Sequence, residues 1–263
     1  GLLLDVKEDG KAYPLSNEAK SVASTLVSYV KSLGVNIYTD TKVTDIKSLL
    51  KKYDKVVIAT GSNAAPHLGG CNDGIVFAKE LGHNIIPTYP SLVQLHLNSP
   101  IIKKMSGVKV EAEVTLYLDN KKELTTYGDV LFSDYGVSGF AILDISQSAS
   151  LALLQKRKIE ISINLMPKLD MQKLSSHIQK ISSTIKEFTL LDVVHSILSL
   201  KVAQGLLDEL KIDANTTNID AKLSKKIANQ LLNWRFLVSD THGFRHAEVS
   251  GGGVDTTEIN PKT

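Results

Sequence analysis

Cysteine is almost missing from this sequence. Cys71 is the single one in 263 residues, so no internal disulfide can form, and a lone thiol fits a reducing, cytoplasmic setting better than secretion. Long apolar runs are missing too: none approaches the ~18 residues of a membrane helix. The first residues, GLLLDVKEDG, lack the basic start and extended apolar stretch of a secretory leader. Neither sign of charge dominates, with 30 basic and 28 acidic residues and a formal net charge of +2, so no global field draws the chain to nucleic acid or to a membrane. Aromatic residues are sparse at 6% and do not interleave with lysines, which removes the stacking platform of a single-strand binder. A phosphate-binding G-x-x-x-x-G-K-(S/T) run is absent, as are repeats and low-complexity tracts. The chain opens without methionine, inside what reads as a strand, as if in mid-domain.

What is present has an ordinary globular composition, 43% hydrophobic, with room for about two domains at a soft prior of ~150 residues each. Its texture changes three times along the chain. Leu2, Leu4 and Val6 alternate before a turn at Glu8-Asp9-Gly10, and Ala12-Tyr13-Pro14 closes a hairpin. Ser16 reads as the N-cap of a helix with Ala19, Val22, Ala23, Leu26, Val27 and Val30 on one face and Gly34 at its end. Val35–Tyr38 reads as a strand, residues 43–53 fit strand or helix, and Lys55–Ala59 reads as a buried strand. Residues 61–74 form a loop before a short helix over Ile75–Leu81. From Asn84 to Pro167 short apolar runs (Val108–Val110, Val114–Leu118, Val130–Phe132, Ala141–Ile145, Ile159–Ile163) lie between turns, as in an antiparallel barrel or sandwich. Helical spacing then takes over at Leu174–Ile185, Leu190–Leu200, Ala203–Leu210 and Leu223–Trp234. The tail from Ala247 reverts to strand and glycine. An α/β host carrying two insertions accounts for this series.

The stretch KVVIATGS, residues 55–62, raises the functional question. A buried strand that ends in Ala59-Thr60-Gly61 presents almost no bulk where open α/β sheets bind their ligands. A flat cofactor can approach bare main chain there, with Thr60 offering a hydroxyl and Gly61 allowing positive φ; a tight turn without a ligand explains the same residues. Gly251-Gly252-Gly253 implies either a close approach or a flexible loop. Asp134, Tyr135 and Ser138 crowd polar groups into one loop, to face a substrate or to cap their own turn. Asp73 caps the following helix or contacts a ribose, and capping is the plainer choice. His242 and His246 stand four apart, but Gly243 between them argues against one helix and against a metal pair. His83 reads as bonding the last carbonyls of its helix, and His96, His177 and His195 as surface or satisfied core residues.

Five segments in order then resemble the bacterial aminoacetone-oxidase-like flavoproteins. They are GKAYPLSNEAKSVASTLVSYVKSLGV, VVIATGSNAAP with GCNDGIVFAKELGH, YPSLVQL, GDVLFSDYGVSGFAILDIS and AEVSGGGVDTTEINPKT. The resemblance covers nearly the whole chain. It implies an FAD-dependent oxidoreductase of α/β class: a partial two-part dinucleotide-binding domain over 1–84 and 245–263, an inserted antiparallel β domain over 85–167 and an inserted small helical domain over 168–244. It implies cofactor contacts at Val43, Ala59, Thr60, Gly61, Asp73, Gly74, Gly252, Gly253 and Val254, and a substrate-side set of Asp134, Tyr135 and Ser138. NAD(P)H as electron donor, a small-molecule substrate and a homodimer fit the same picture, with no nucleic-acid partner, no membrane and no metal.

Departures from the family pattern matter. G-x-G-x-x-G is absent and the chain stops at Thr263, so the sequence reads as the central part of a longer protein, a part expected to bind FAD weakly or not at all by itself. Ser62 stands where a second glycine is usual, Asp134 where a histidine is usual, and Phe140 where a proline is usual. A module that holds no cofactor and serves only binding or assembly is the alternative.

Overall fold

The computed structural model describes residues 2–8, 10–260 and 262; Asp9, in the expected hairpin turn, lies outside them. The chain divides into two compact units, Gly1–Val56 and Val57–Thr263.

In the first unit, β1 (Leu4–Val6) and β2 (Ala12–Pro14) pair antiparallel, Leu4 opposite Pro14 and Val6 opposite Ala12. Helix α1 (Ala19–Ser32) follows, and Ser16 does not cap it: Glu18 occupies the N-cap and makes no side-chain bond. Asn17, at φ 54°, turns the chain first, leaving the Ser16 hydroxyl against that of Ser21 at 2.5 Å. Gly34 does end the helix, at φ +77°, with its N–H on the Lys31 carbonyl at 3.0 Å. The ambiguous segment resolves as α2 (Ile46–Lys52), because the Asp45 carboxylate accepts from the Lys47 and Ser48 N–H groups.

Two expected strands do not form. Residues 35–38 and 55–59 belong to no ladder. A strand of the parallel kind exists only between neighbours, and none among the described residues runs beside these. Val35 is therefore 51% exposed and Val57 86%.

The second unit opens with α3 (Asp73–Glu80), which begins two residues earlier than its apolar spacing predicts. Next comes β3 (Ile85–Ser91), unforeseen because it contains Pro87 and Pro90; its single partner leaves one edge free, where proline costs no ladder bond. A six-stranded closed barrel follows, built from β4 (Leu95–Leu97), β5 (Lys109–Leu118), β6 (Lys121–Phe132), β7 (Gly136–Ser138) and two strands further on. β5 and β6 merge the short runs expected there into one long hairpin, and its turn, Asp119-Asn120, has positive φ at both residues (51° and 65°), as a type I′ turn requires.

Ala141–Ile145, expected as a strand, lies in helix α4 (Phe140–Leu154). Its buried side includes Ala141, Ile142, Ile145, Ala149 and Ala152, a helical spacing that a five-residue apolar run does not reveal. β8 (Ile159–Asn164) then pairs with β5. Helices α5 (Met171–Thr184), α6 (Leu190–His195), α7 (Leu200–Leu210) and α8 (Ala221–Leu232) form the helical module. Asp170, Thr189 with Asp192, and Asp220 cap three of them through their side chains. The expected helix Leu190–Leu200 stops at His195, and the one expected to reach Trp234 ends at Leu232. Trp234 instead opens β9 (Trp234–Thr241), the sixth barrel strand, which pairs with β8 and β4. Barrel and helices share one apolar core that includes Leu116, Phe132, Ile161, Leu206, Ile227 and Trp234. β10 (Val249–Val254) returns to pair with β3. Among the described residues no helix is long and apolar enough to cross a membrane.

Candidate functional site

The residues that end the KVVIATGS stretch wall a cavity of about 340 Å³, together with α3 and the tail. Ile58, Ala59, Thr60 and Gly61 form one side, Gly74, Ile75, Ala78 and Leu81 of α3 another, and Val254 and Ile259 face them. The Thr60 hydroxyl accepts the Gly74 N–H at 3.1 Å, so it satisfies one of the unpaired donors at the start of α3. This contact demands glycine: a Cβ at residue 74 would stand 2.3 Å from Thr60 Oγ1 and 2.9 Å from Ile58 Cγ2. His83 also lines the cavity and is strapped by Glu258. Its carboxylate lies 3.3 Å from His83 Nδ1 and accepts the Asn84 N–H at 3.0 Å and also the Asn84 side-chain amide. The His83 main chain bonds the Ala78 carbonyl, as a helix end does, while its ring turns to Glu258.

Of the residues expected at a cofactor, Ala59, Thr60, Gly61, Gly74 and Val254 line this cavity. Asp73 is not the helix cap: Asn72 holds that position, and Asp73 stands in the first turn, where its charge complements the helix dipole. Val43 belongs to the first unit. Gly252 and Gly253 are not in the cavity wall. The close approach at Gly251 and Gly252 comes from β3: a Cβ on Gly251 would enter the Tyr89 ring, and one on Gly252, at φ +75°, would stand 2.3 Å from the Pro87 carbonyl oxygen. A bulge in the β10–β3 ladder falls there. Ser62, which stands where a second glycine is usual, accepts the Ser250 hydroxyl at 2.7 Å and so ties the loop to β10. Cys71 has its sulfur 3.8 Å from the Thr60 carbonyl oxygen.

A second cluster lies at the β6–β7 turn. Asp134 and Tyr135 sit in that turn, closed by the Ser133 N–H on the Gly136 carbonyl at 2.9 Å. Ser138 is apart from them, inside β7 opposite Leu131. The Tyr135 ring stacks on His242 at 4.1 Å and 13°. His242 Nδ1 lies 2.7 Å from His96 Nε2, and the His246 ring is 4.1 Å from that of His242. Burial pushes the His242 pKa down; the positive charges of His246 and His96 add to this, and Asp134 opposes it. His242 and His246 are not on one α-helix: His246 ends a 3-10 turn, Phe244–His246, that begins after His242. The sequence marked His96 as unremarkable, and only barrel closure reveals its place. The alternation in Leu95-His96-Leu97 signals an outward side chain, but nothing in it names the partner.

A six-stranded closed barrel whose apolar core is shared with a helical module defines a barrel-and-helix class of protein. The chain belongs to the HI0933-like family: the family's barrel and H2TH domain matches residues 89–249, more than half of the chain. It is 27% identical to the 3-dehydro-bile acid delta(4,6)-reductase of Clostridium scindens over 97% of this chain and 65% of that protein. It is 26% identical to the ribosomal RNA dihydrouridine synthase of Escherichia coli, over 83% of this chain and 52% of that protein. The enzyme of the same name from Haemophilus influenzae is 27% identical over 84% and 53%. The chain thus spans between half and two thirds of the length of these curated relatives.

Proposed function

We propose that this chain forms part of an FAD-dependent oxidoreductase that reduces a small molecule, with NAD(P)H as the electron source. One observation carries the reading: the cavity wall at Ala59-Thr60-Gly61 and Gly74 is stripped of side-chain bulk, with apolar Ile75, Ala78 and Val254 facing it. A planar ring system needs such a wall. At about 340 Å³ the cavity sits near the lower end of the ~300–1,000 Å³ typical of ligand sites, so it suits one portion of a dinucleotide and not the whole. The names of the relatives, a reductase and dihydrouridine synthases, support reduction as the direction. FAD, when bound, supplies the hydride chemistry. The residues of the chain orient it and exclude water: Ile58–Gly61 and Gly74 by close main-chain approach, His83 and Ile259 by lining the cavity. A cytoplasmic location and a homodimer complete the proposal.

The test is optical. Protein from the complete reading frame should emerge yellow from gel filtration, whereas residues 1–263 alone, without a G-x-G-x-x-G turn for the pyrophosphate, should retain little FAD. Gly74→Ala in the longer protein should weaken FAD at least about tenfold, roughly 1.4 kcal/mol, because the added Cβ meets Thr60 and Ile58. A colourless protein that also refuses added FAD overturns the proposal. Salt-sensitive retention of RNA would replace the small-molecule substrate with a nucleic acid.

A further inference from the structure

Three separate stretches of sequence deliver rings to one end of the barrel. His96 projects outward from β4, between Leu95 and Leu97, which are both buried. Its ladder partners are Gly136 on β7 and Asp240 on β9. Gly136 admits no side chain, since a Cβ there would stand 2.0 Å from the Leu95 carbonyl oxygen. His96 Nε2 meets His242 Nδ1 at 2.7 Å, so one ring donates and the other accepts a shared proton. The His242 main chain is pinned by its N–H on the Gln94 carbonyl at 2.9 Å, and its ring is held flat against Tyr135. Among the described residues, the buried Gln94 side-chain oxygen has no hydrogen-bond partner. Among the described residues, neither His242 Nε2 nor His96 Nδ1 has a hydrogen-bond partner, and both residues are only half-buried. The pair therefore has one open nitrogen at each end.

The cluster is tied to the cavity wall by a short loop. Gly61, in the wall, and Ala65 are four residues apart, at most ~14 Å of chain. The Ala65 N–H bonds the Phe244 carbonyl at 3.0 Å, and Phe244 lies two residues from both His242 and His246.

We infer that His242, relayed by His96, supplies the proton that accompanies hydride addition to the substrate, an assignment that rests on the oxidoreductase reading above. Saturating a polarised double bond takes one hydride and one proton; a bound flavin would supply the first, and the chain supplies the second. In the singly charged pair His96 carries two protons and His242 carries one, on Nε2. As that proton moves to the substrate, the N–H bond breaks with its electron pair left on nitrogen, and a C–H or O–H bond forms. The shared proton shifts from His96 Nε2 to His242 Nδ1. The pair ends neutral, and water recharges it once product has left. His96 is a positioning and relay residue, and Tyr135 fixes the plane of the donor. Burial and the neighbouring His246 keep the positive charge off His242, and Asp134 holds the opposing influence.

Two measurements test this. In residues 1–263, imidazole proton NMR should show His96 and His242 titrating as a coupled pair. His96→Gln should then raise the His242 midpoint by removing a positive neighbour, and Asp134→Asn should lower it. Independent titrations overturn the pair. In the FAD-loaded longer protein, with a 3-dehydro-delta(4,6) bile acid as probe, His242→Gln should cut kcat about 10²- to 10⁴-fold, with the flavin spectrum kept and KM within about twofold. His96→Gln should flatten the pH profile with a smaller loss. A retained spectrum with a wild-type rate and pH profile in His242→Gln overturns the proton assignment and spares the flavoprotein reading; a colourless wild type overturns that reading instead. Should the probe not turn over, the NMR result alone decides.

Discussion

Ile161 in the barrel and Val57 before the cavity are both β-branched residues set among apolar neighbours, yet Ile161 is fully buried and Val57 is 86% exposed. Ile161 has a strand on each side, Leu116 opposite it on β5 and Phe236 on β9. Val57 has none among the described residues. Burial of such a side chain contributes about 1.5–3 kcal/mol, but only once a neighbouring strand satisfies the backbone on which it sits. Every barrel strand meets that condition on both edges because the sheet closes on itself. The segments at 35–38 and 55–59 also carry β-branched residues, and among the described residues they meet it on neither edge.

Trp234→Ala strikes the supported side of this contrast. The indole is fully buried at the junction of helices and barrel, and its loss should cost about 3–5 kcal/mol, read as a drop in the denaturant midpoint. Gly136→Ala acts on the closure itself. Its Cβ would collide with the Leu95 main chain where β4 meets β7, and a cost of about 1–3 kcal/mol is expected, together with uncoupling of the His96 and His242 titrations. Acid should weaken the barrel end modestly. The His242 pKa is lowered in the folded chain, so the unfolded state binds the extra proton first; the stability is complete above the unfolded value of about 6.5 and is lost as pH falls through the lower folded value. Melting temperatures across that window should show this, and His242→Gln should remove it. Smallest of all, Val57→Asp should change stability by less than about 0.5 kcal/mol. A loss above 1 kcal/mol would show a strand covering Val57 in solution and would erase the contrast.

Much of the fold was legible where periodicity is unambiguous. Leu174 and Ile178, or Leu206 and Leu207 with Val202 and Ala203, mark buried helical faces, and Ile159, Ile161 and Ile163 mark a strand. Ala141–Ile145 was misread because a helix buried over much of its surface shows no polar stripe in so short a window. β9 was hidden behind the helical pattern that ends at Leu232, although Trp234, Phe236 and Val238 alternate with exposed residues. One side of the cavity wall is legible in the sequence because Ala59-Thr60-Gly61 form one stretch whose lack of bulk is itself the signal. The histidine pair could not: residues 96, 135 and 242 become neighbours only through the closure of β4 against β7 and β9, and no local pattern encodes a register between strands so distant.

The helical module leaves the barrel at the end of β8 and comes back at the start of β9, where the Leu165 N–H bonds the Leu231 carbonyl at 2.8 Å and Ile163 faces Trp234. Departure and return thus share one doorway, as in a hairpin whose tip has grown into four helices. Such an excursion can be lengthened, shortened or exchanged without shifting a single ladder pair, provided the replacement lays an equally greasy cover over Trp234 and its neighbours. The ladders fix the barrel's register, and the tip is free to diversify.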